Sequence, residues 1–279
     1  MDKEIFSPWL HRWRLIPDGP PFITHTSQLL PVKTLSGDLE AMLKVTADED
    51  EQTGGALMAW WQGHGAAPVL AHQREAILLR RASGLASLST MSRQGQDGEA
   101  CRILCQTANQ LHRAQPRVLP RLTPLPIWFS PLAPAARQHG GILVRCAEIA
   151  AELLSTPRDV VPLHGDLHHD NVLDFGDSGW LAIDPKGLLG ERGFDFANIF
   201  TNPDLGNPLP CVATIPAVFQ QRLDIVAATA GLERARLLQW IIAWCGLSAT
   251  WTLESHETPD VAFAVAKQAI AELDRPRER

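Results

Sequence analysis

With 279 residues the chain can form two lobes around a sizeable core. A hydrophobic fraction of 45% and a charged fraction of 20% suit a globular protein, and no apolar run of about 18 residues signals a membrane span. A net charge of −6 without a basic block argues against a nucleic-acid-binding surface and fits a cationic small-molecule partner better.

The amino-terminal MDKEIFSPWLHRWRL mixes charges, tryptophan and short apolar pieces. It lacks the continuous apolar segment and cleavage site of an exported protein, so a cytoplasmic location is expected. Trp13–Ile16, Pro17–Pro21 and Phe22–Thr24 read as strand, turn and strand. The sheet continues through Gln28–Lys33, the Ser36–Asp38 turn and Ala41–Val45. Lys44 interrupts that last apolar strand near its end, a position from which an ammonium reaches nucleotide α/β-phosphates. Thr24–Ser27 occupies the place of a phosphate-covering loop without GxGxxG. The Thr26 and Ser27 hydroxyls are candidates to replace the glycine-rich approach, and a polar hairpin turn explains the segment equally well. Asp48–Trp61 predicts a helix with its acidic end matched to the dipole, weakened by Gly54–Gly55. Glu51, chosen over its neighbours Glu49 and Asp50, is the candidate to pair with Lys44 and fix it for phosphate contact. Ala76–Ala82 predicts the last strand, leading into a linker whose backbone would meet an adenine edge.

Beyond residue 83 the pattern is helical. Glu99–His112 carries Ile103, Leu104, Ala108 and Leu111 at helical spacing. Arg113–Pro134 reads as proline-rich and irregular, Ala135–Leu154 as one helix, and Val212–Thr229, Leu232–Leu253 and Asp260–Leu273 as the rest. Trp240, Trp244 and Trp251 recur near helical spacing and read mainly as core, with an aromatic substrate wall as the lesser reading. Five cysteines without a CxxC pair read as free thiols of a reducing compartment.

The chemistry concentrates in His164-Gly165-Asp166-Leu167-His168-His169-Asp170-Asn171 and the following Trp180-Leu181-Ala182-Ile183-Asp184. Asp166 is placed to accept the proton of a substrate hydroxyl, Asn171 to hold one Mg²⁺, and Asp184 to hold the metal that bridges the phosphates of ATP. A carboxamide oxygen is a hard neutral ligand, and the second carboxylate adds charge. Val172–Phe175, the Gly176–Gly179 turn and Trp180–Ile183 predict a hairpin that returns Asp184 beside Asn171. A histidine metal cluster is disfavoured, because His168 and His169 are adjacent on an extended loop and no cysteine completes a zinc spacing.

These residues resemble the catalytic core of the aminoglycoside phosphotransferase family, relatives of protein kinases with HGD in place of HRD. LHGDLHHDNVLDFGDSGWLAIDPKGLLGER and FDFANIFTNPDL are most similar to the streptomycin 6-kinase and hydroxyurea phosphotransferase group, over most of the chain. The resemblance implies an α+β, protein-kinase-like two-lobed fold, with an antiparallel sheet lobe over 1–82 and a mainly helical catalytic and substrate-binding lobe over 83–279. It implies ATP as co-substrate with Mg²⁺, an aminoglycoside partner phosphorylated at the 6-hydroxyl of streptidine, and a monomer or weak dimer. It also implies that His164 braces the catalytic loop and that the Asp195 carboxylate accepts backbone hydrogen bonds beneath it. Lys186 and Arg192 remain open between phosphate contact and plain loop charge. Glu191, Asp204, Glu254, Glu257 and Asp260 are candidates to bind the streptidine guanidinium groups. A kinase of another small hydroxylated metabolite and a catalytically silent nucleotide-binding scaffold are the alternatives.

Overall fold

The computed structural model describes residues 3–24, 26–113 and 115–276; His25 of the expected phosphate loop and Ala114 of the proline-rich stretch lie outside the described residues. The chain opens with α1 (Ser7–Arg12), which the sequence reading missed, and continues as β1 (Leu15–Pro17), β2 (Phe22–Ile23), β3 (Ser27–Thr34), β4 (Glu40–Thr46), α2 (Glu49–Trp61), β5 (Val69–Gln73) and β6 (Ala76–Arg80). The strands form one antiparallel sheet of order β1-β3-β4-β6-β5, with β2 paired to β3. Strand alternation gives the sheet two apolar faces. Leu30, Val32, Ala41, Leu43 and Val45 bury one face beneath Phe6, Trp9 and Trp13. Lys44 is of opposite parity in β4 and points to the other face, where α2 packs.

The remainder comprises α3 (Leu88–Met91), α4 (Asp97–Leu111), β7 (Thr123–Pro124), α5 (Leu125–Trp128), α6 (Leu132–His139), α7 (Ile142–Ser155), β8 (Val160–Leu163), β9 (Val172–Asp174), β10 (Trp180–Ala182), β11 (Leu188–Glu191), α8 (Gly193–Ala197), α9 (Pro216–Ala230), α10 (Arg234–Glu254) and α11 (Asp260–Leu273). An antiparallel sheet region followed by a mainly helical region is the α+β, protein-kinase-like arrangement.

Two expected elements differ. Ala135–Leu154 is two helices, because Gly140 and Gly141 both take positive φ (64° and 61°) and end α6 before α7 begins. The stretch 113–134 is not wholly irregular: it contains β7, α5 and the start of α6. Its prolines stand where they are tolerated, Pro124 just before α5 and Pro126 in its first turn.

One large core joins the two regions, with Leu57, Met58 and Trp61 of α2 and Ile77 of β6 clustering with Leu104, Leu111, Leu181 and Leu188. Backbone bonds add to it: Ala182 N–H donates to Gly65 O and Ala67 N–H to Ala182 O, each at 2.9 Å. Among the described residues no helix is long and apolar enough to cross a membrane.

Candidate active site

The loop between β8 and β9 holds the HGD segment and is fixed from below by Asp195 in α8. The Asp195 carboxylate accepts the His164 N–H at 2.9 Å, the Gly165 N–H at 2.8 Å and His112 Nε2 at 2.8 Å. His164 Nε2 meets the Ile183 carbonyl at 2.8 Å and its Nδ1 accepts the Asp166 N–H at 3.2 Å, so the ring ties the loop to the hairpin. Burial pushes the His164 imidazole below its ordinary pKa, against the pull of Asp195 and Asp166, which keeps it neutral as that Nδ1 acceptor requires.

Asp166 is presented by this frame with both oxygens engaged. Asn198 Nδ2 donates to Oδ1 at 2.8 Å and Asn171 Nδ2 to Oδ2 at 3.2 Å, while the Asn171 amide also donates to the Asp166 carbonyl at 2.9 Å. These bonds fix the flip of Asn171 so that its Oδ1 remains available to a hard cation. The β9–β10 hairpin forms as expected, and the Ile183 N–H donates to Asn171 O at 2.9 Å. Asp184 follows directly, at φ 62°, a left-handed conformation that costs a non-glycine residue and recurs at functional sites. Among the described residues no group of three His, Cys, Asp or Glu is placed to hold a metal ion. Asn171 and Asp184 would offer Mg²⁺ one neutral and one charged oxygen ligand, the hard donors that ion prefers.

Lys44 bonds both Glu51 and Asp184. Burial works to raise the Asp184 pKa, but the Lys44 charge and hydrogen bond outweigh it and hold the carboxyl below the usual range. Glu51 lies in α2 one turn after the N-cap, where Asp48 Oδ1 accepts the Asp50 and Glu51 N–H groups at 3.0 Å. Gly54, one of the two glycines that weaken the helix in sequence, is what docks it. A Cβ on Gly54 would stand 1.8 Å from the Pro185 carbonyl oxygen, so only glycine lets α2 meet the Asp184 loop. Thr26 and Ser27 lie at the β2–β3 turn, with Ser27 paired in register to Thr46, two residues beyond Lys44. The Ser27 hydroxyl is buried without a partner among the described residues, and the Thr26 carbonyl accepts the Thr46 hydroxyl at 2.7 Å.

A cleft of about 400 Å³ opens beside Asp166, lined also by Trp128, His168, Lys186, Asn198, Asn202, Trp244 and Trp251. Trp251 meets Trp128 and Trp244 edge to face at 5.5 and 6.0 Å. Trp240 is core as read, whereas Trp244 and Trp251 are also wall, and Trp128, Asn198 and Lys186 complete a surface that sequence reasoning did not assemble. The five candidate guanidinium-binding carboxylates do not line this cleft. Glu191 is buried against Arg236 at 2.6 Å and Trp240 Nε1 at 2.8 Å, and Asp204 accepts the Val212 and Ala213 N–H groups at 3.0 Å. Glu254, Glu257 and Asp260 are exposed around the α10–α11 turn. Arg192, likewise, is spent on the Ala230 carbonyl at 2.6 Å.

Comparison with known proteins places residues 12–256 in the family described as aminoglycoside/hydroxyurea antibiotic resistance kinase. The chain is 55% identical over 242 residues to a streptomycin 3''-kinase of Klebsiella pneumoniae, covering 87% of this chain and 90% of that protein. It is 31% identical over 272 residues to a streptomycin 6-kinase of Streptomyces griseus, covering 94% and 85%. Among solved structures it is similar to a thermostable mutant of aminoglycoside phosphotransferase APH(4)-Ia in a ternary complex with ADP and hygromycin B. That match has a TM-score of 0.63 at 11% identity and covers 99% of this chain and all of the other.

Proposed function

The chain belongs to the aminoglycoside/hydroxyurea antibiotic resistance kinase family, and from that premise we propose that it transfers the terminal phosphoryl group of ATP to a hydroxyl of streptomycin. The observation that carries this is the placing of Asp166, clamped by two carboxamides at the mouth of an aromatic cleft and backed by the Lys44–Glu51–Asp184 cluster. Asp166 accepts the acceptor proton as the oxygen attacks; Lys44 holds the nucleotide phosphates, with the Thr26–Ser27 turn covering them. Asn171 and Asp184 would hold Mg²⁺, which supplies charge neutralisation at the phosphates. The nucleotide-binding lobe takes residues 1–82, a boundary supported by the end of β6 at Arg80 and by the Gly84 N–H donating to the Asp174 carbonyl of β9 at 2.9 Å.

Streptomycin suits the cleft because its streptidine guanidinium groups can lie on indole faces, a contact worth about 0.5–2 kcal/mol each. Asn198 and Asn202 line the same space, so cation recognition here rests on aromatic and neutral groups with one carboxylate. The acceptor oxygen is the 6-hydroxyl of streptidine, supported by the 6-kinase relative and by the motif resemblance. The 3''-hydroxyl is the second reading, favoured by the name of the 55% identical relative. Incubation with Mg-ATP and streptomycin, mass spectrometry for one added phosphate, and phosphorus–proton NMR of the product test both. Phosphate on the 3'' oxygen replaces the first reading with the second. No transfer to streptomycin, beside efficient transfer to an unrelated alcohol, removes the acceptor and leaves a kinase.

A further inference from the structure

Lys186 stands where the nucleotide side and the acceptor side of the site meet. Its N–H donates to the His164 carbonyl at 2.7 Å, and its Nζ donates to Glu51 Oε1 at 2.7 Å. Its side chain, 23% exposed, lines the acceptor cleft with Asp166. The other oxygen of Glu51 is taken by Lys44. One buried carboxylate thus orients two ammonium groups, Lys44 from the sheet and Lys186 from the loop that follows Asp184.

Lys186 is also the one lysine or arginine among the described residues lining that cleft. A cationic acceptor is repelled by such a charge, since two unit charges interact appreciably at short range even in a partly wet cleft. Glu51 shares its charge between two cations and takes one ammonium hydrogen of Lys186, so that group still has hydrogens to offer an anion entering the cleft, and the group in transit is that anion.

We propose that Lys186 is a second catalytic lysine, which donates its ammonium hydrogens to the non-bridging oxygens of the γ-phosphoryl group as it crosses from nucleotide to acceptor. In that step the acceptor oxygen bonds to the γ-phosphorus, and the bond from that phosphorus to the β–γ bridging oxygen breaks with its electron pair leaving on ADP. The hydroxyl proton passes to Asp166, and Lys186 keeps its own protons throughout. Lys44 serves the phosphates that stay behind; Lys186 serves the one that moves. This rests on the kinase reading and not on which alcohol is the acceptor.

Lys186→Met and Lys186→Arg test it through steady-state kinetics with Mg-ATP and streptomycin, and through binding of ADP with and without aluminium fluoride, a mimic of the phosphoryl group in flight. In the Met variant kcat is expected to fall on the order of 10²-fold, as for loss of one preorganised donor to transition-state charge. KM for ATP and affinity for ADP alone should stay near the parent values, and aluminium fluoride should no longer tighten ADP. The Arg variant should recover part of both. A Met variant with parental kcat, or one whose kcat and ADP affinity fall together, overturns the proposal and leaves Lys186 a mere prop for Glu51. If the Met variant does not fold, the Arg variant decides: weakened fluoride tightening with intact ADP binding supports the role, and parental tightening beside lowered ADP affinity overturns it. If the parent leaves streptomycin untouched, the acceptor reading alone has failed. The fluoride arm needs no alcohol and still judges Lys186.

Discussion

Asp166 sits between two amide donors, Asn171 and Asn198, and that fixes what a substitution there does. Asp166→Asn keeps the shape but puts an amide against two amides and cannot take a proton. Turnover should fall by ~10²–10⁴-fold, with ADP affinity retained; a folded variant at the parental rate removes Asp166 as base. His169 makes a different prediction. Its ring is buried with neither nitrogen partnered among the described residues, and burial, then the nearby Arg222 charge, hold it well below its ordinary pKa. An unfolded chain protonates this histidine near pH 6.5, at about its free value, while the folded one stays neutral far lower. Below that pH the unfolded state binds the extra proton, so stability falls as pH falls. The urea midpoint should drop between neutral and mildly acidic pH, and His169→Leu should flatten that slope; an unchanged slope would assign the pH dependence to other groups.

At the scale of elements, the position of α2 decides whether Lys44 has a partner. Gly54 lies against the Pro185 carbonyl, and Gly187 at φ 67° would place a Cβ 2.6 Å from the Thr53 side chain, so helix and loop meet backbone to backbone. Gly54→Ala adds helix propensity of up to ~1 kcal/mol yet forces α2 away from the Asp184 loop. The expected outcome is a loss of ATP affinity and turnover well beyond any change in thermal midpoint, and parental kinetics would mean that the helix can slide without cost. The α6–α7 break shows the same residue type acting differently: Gly140 and Gly141 have no neighbours within 4 Å of an added Cβ and act purely through positive φ.

Across the whole molecule, the sheet and helical regions share one apolar cluster through α2 and β6. Trp61 links them directly, its buried Nε1 donating to the Leu111 carbonyl at 3.0 Å and its ring stacking near His164 at 6.5 Å. Unfolding followed by tryptophan fluorescence and by far-UV circular dichroism should therefore coincide. Trp61→Phe strands a buried carbonyl and should cost about 1–3 kcal/mol without separating the two transitions. Separated transitions in the parent protein would show that the shared core does not couple the regions.

The spacing of Asp166, Asn171 and Asp184 was legible in the sequence because a short loop and one hairpin connect them, and local chain geometry settles such contacts. The Lys44–Glu51 pair was legible for a similar reason, since strand and helix are joined by two residues. Gly140–Gly141 was open to the same local reading and was passed over for the apolar period on either side. The cleft beside Asp166 was not legible: Trp128, Asp166, Lys186, Asn198 and Trp251 come from five separate segments, and nothing local to any of them specifies the others. Glu191 and Asp204 looked like free carboxylates because their partners, Arg236 and the Val212–Ala213 amides, are brought in by long-range packing and a folded-back loop. Sequence by itself determined the candidate reacting groups and the fold class, whose signals are periodicity and short-range spacing. Only the tertiary structure decided which charges are spent on holding the molecule together and which face the cleft, because burial and pairing are properties of the packed chain.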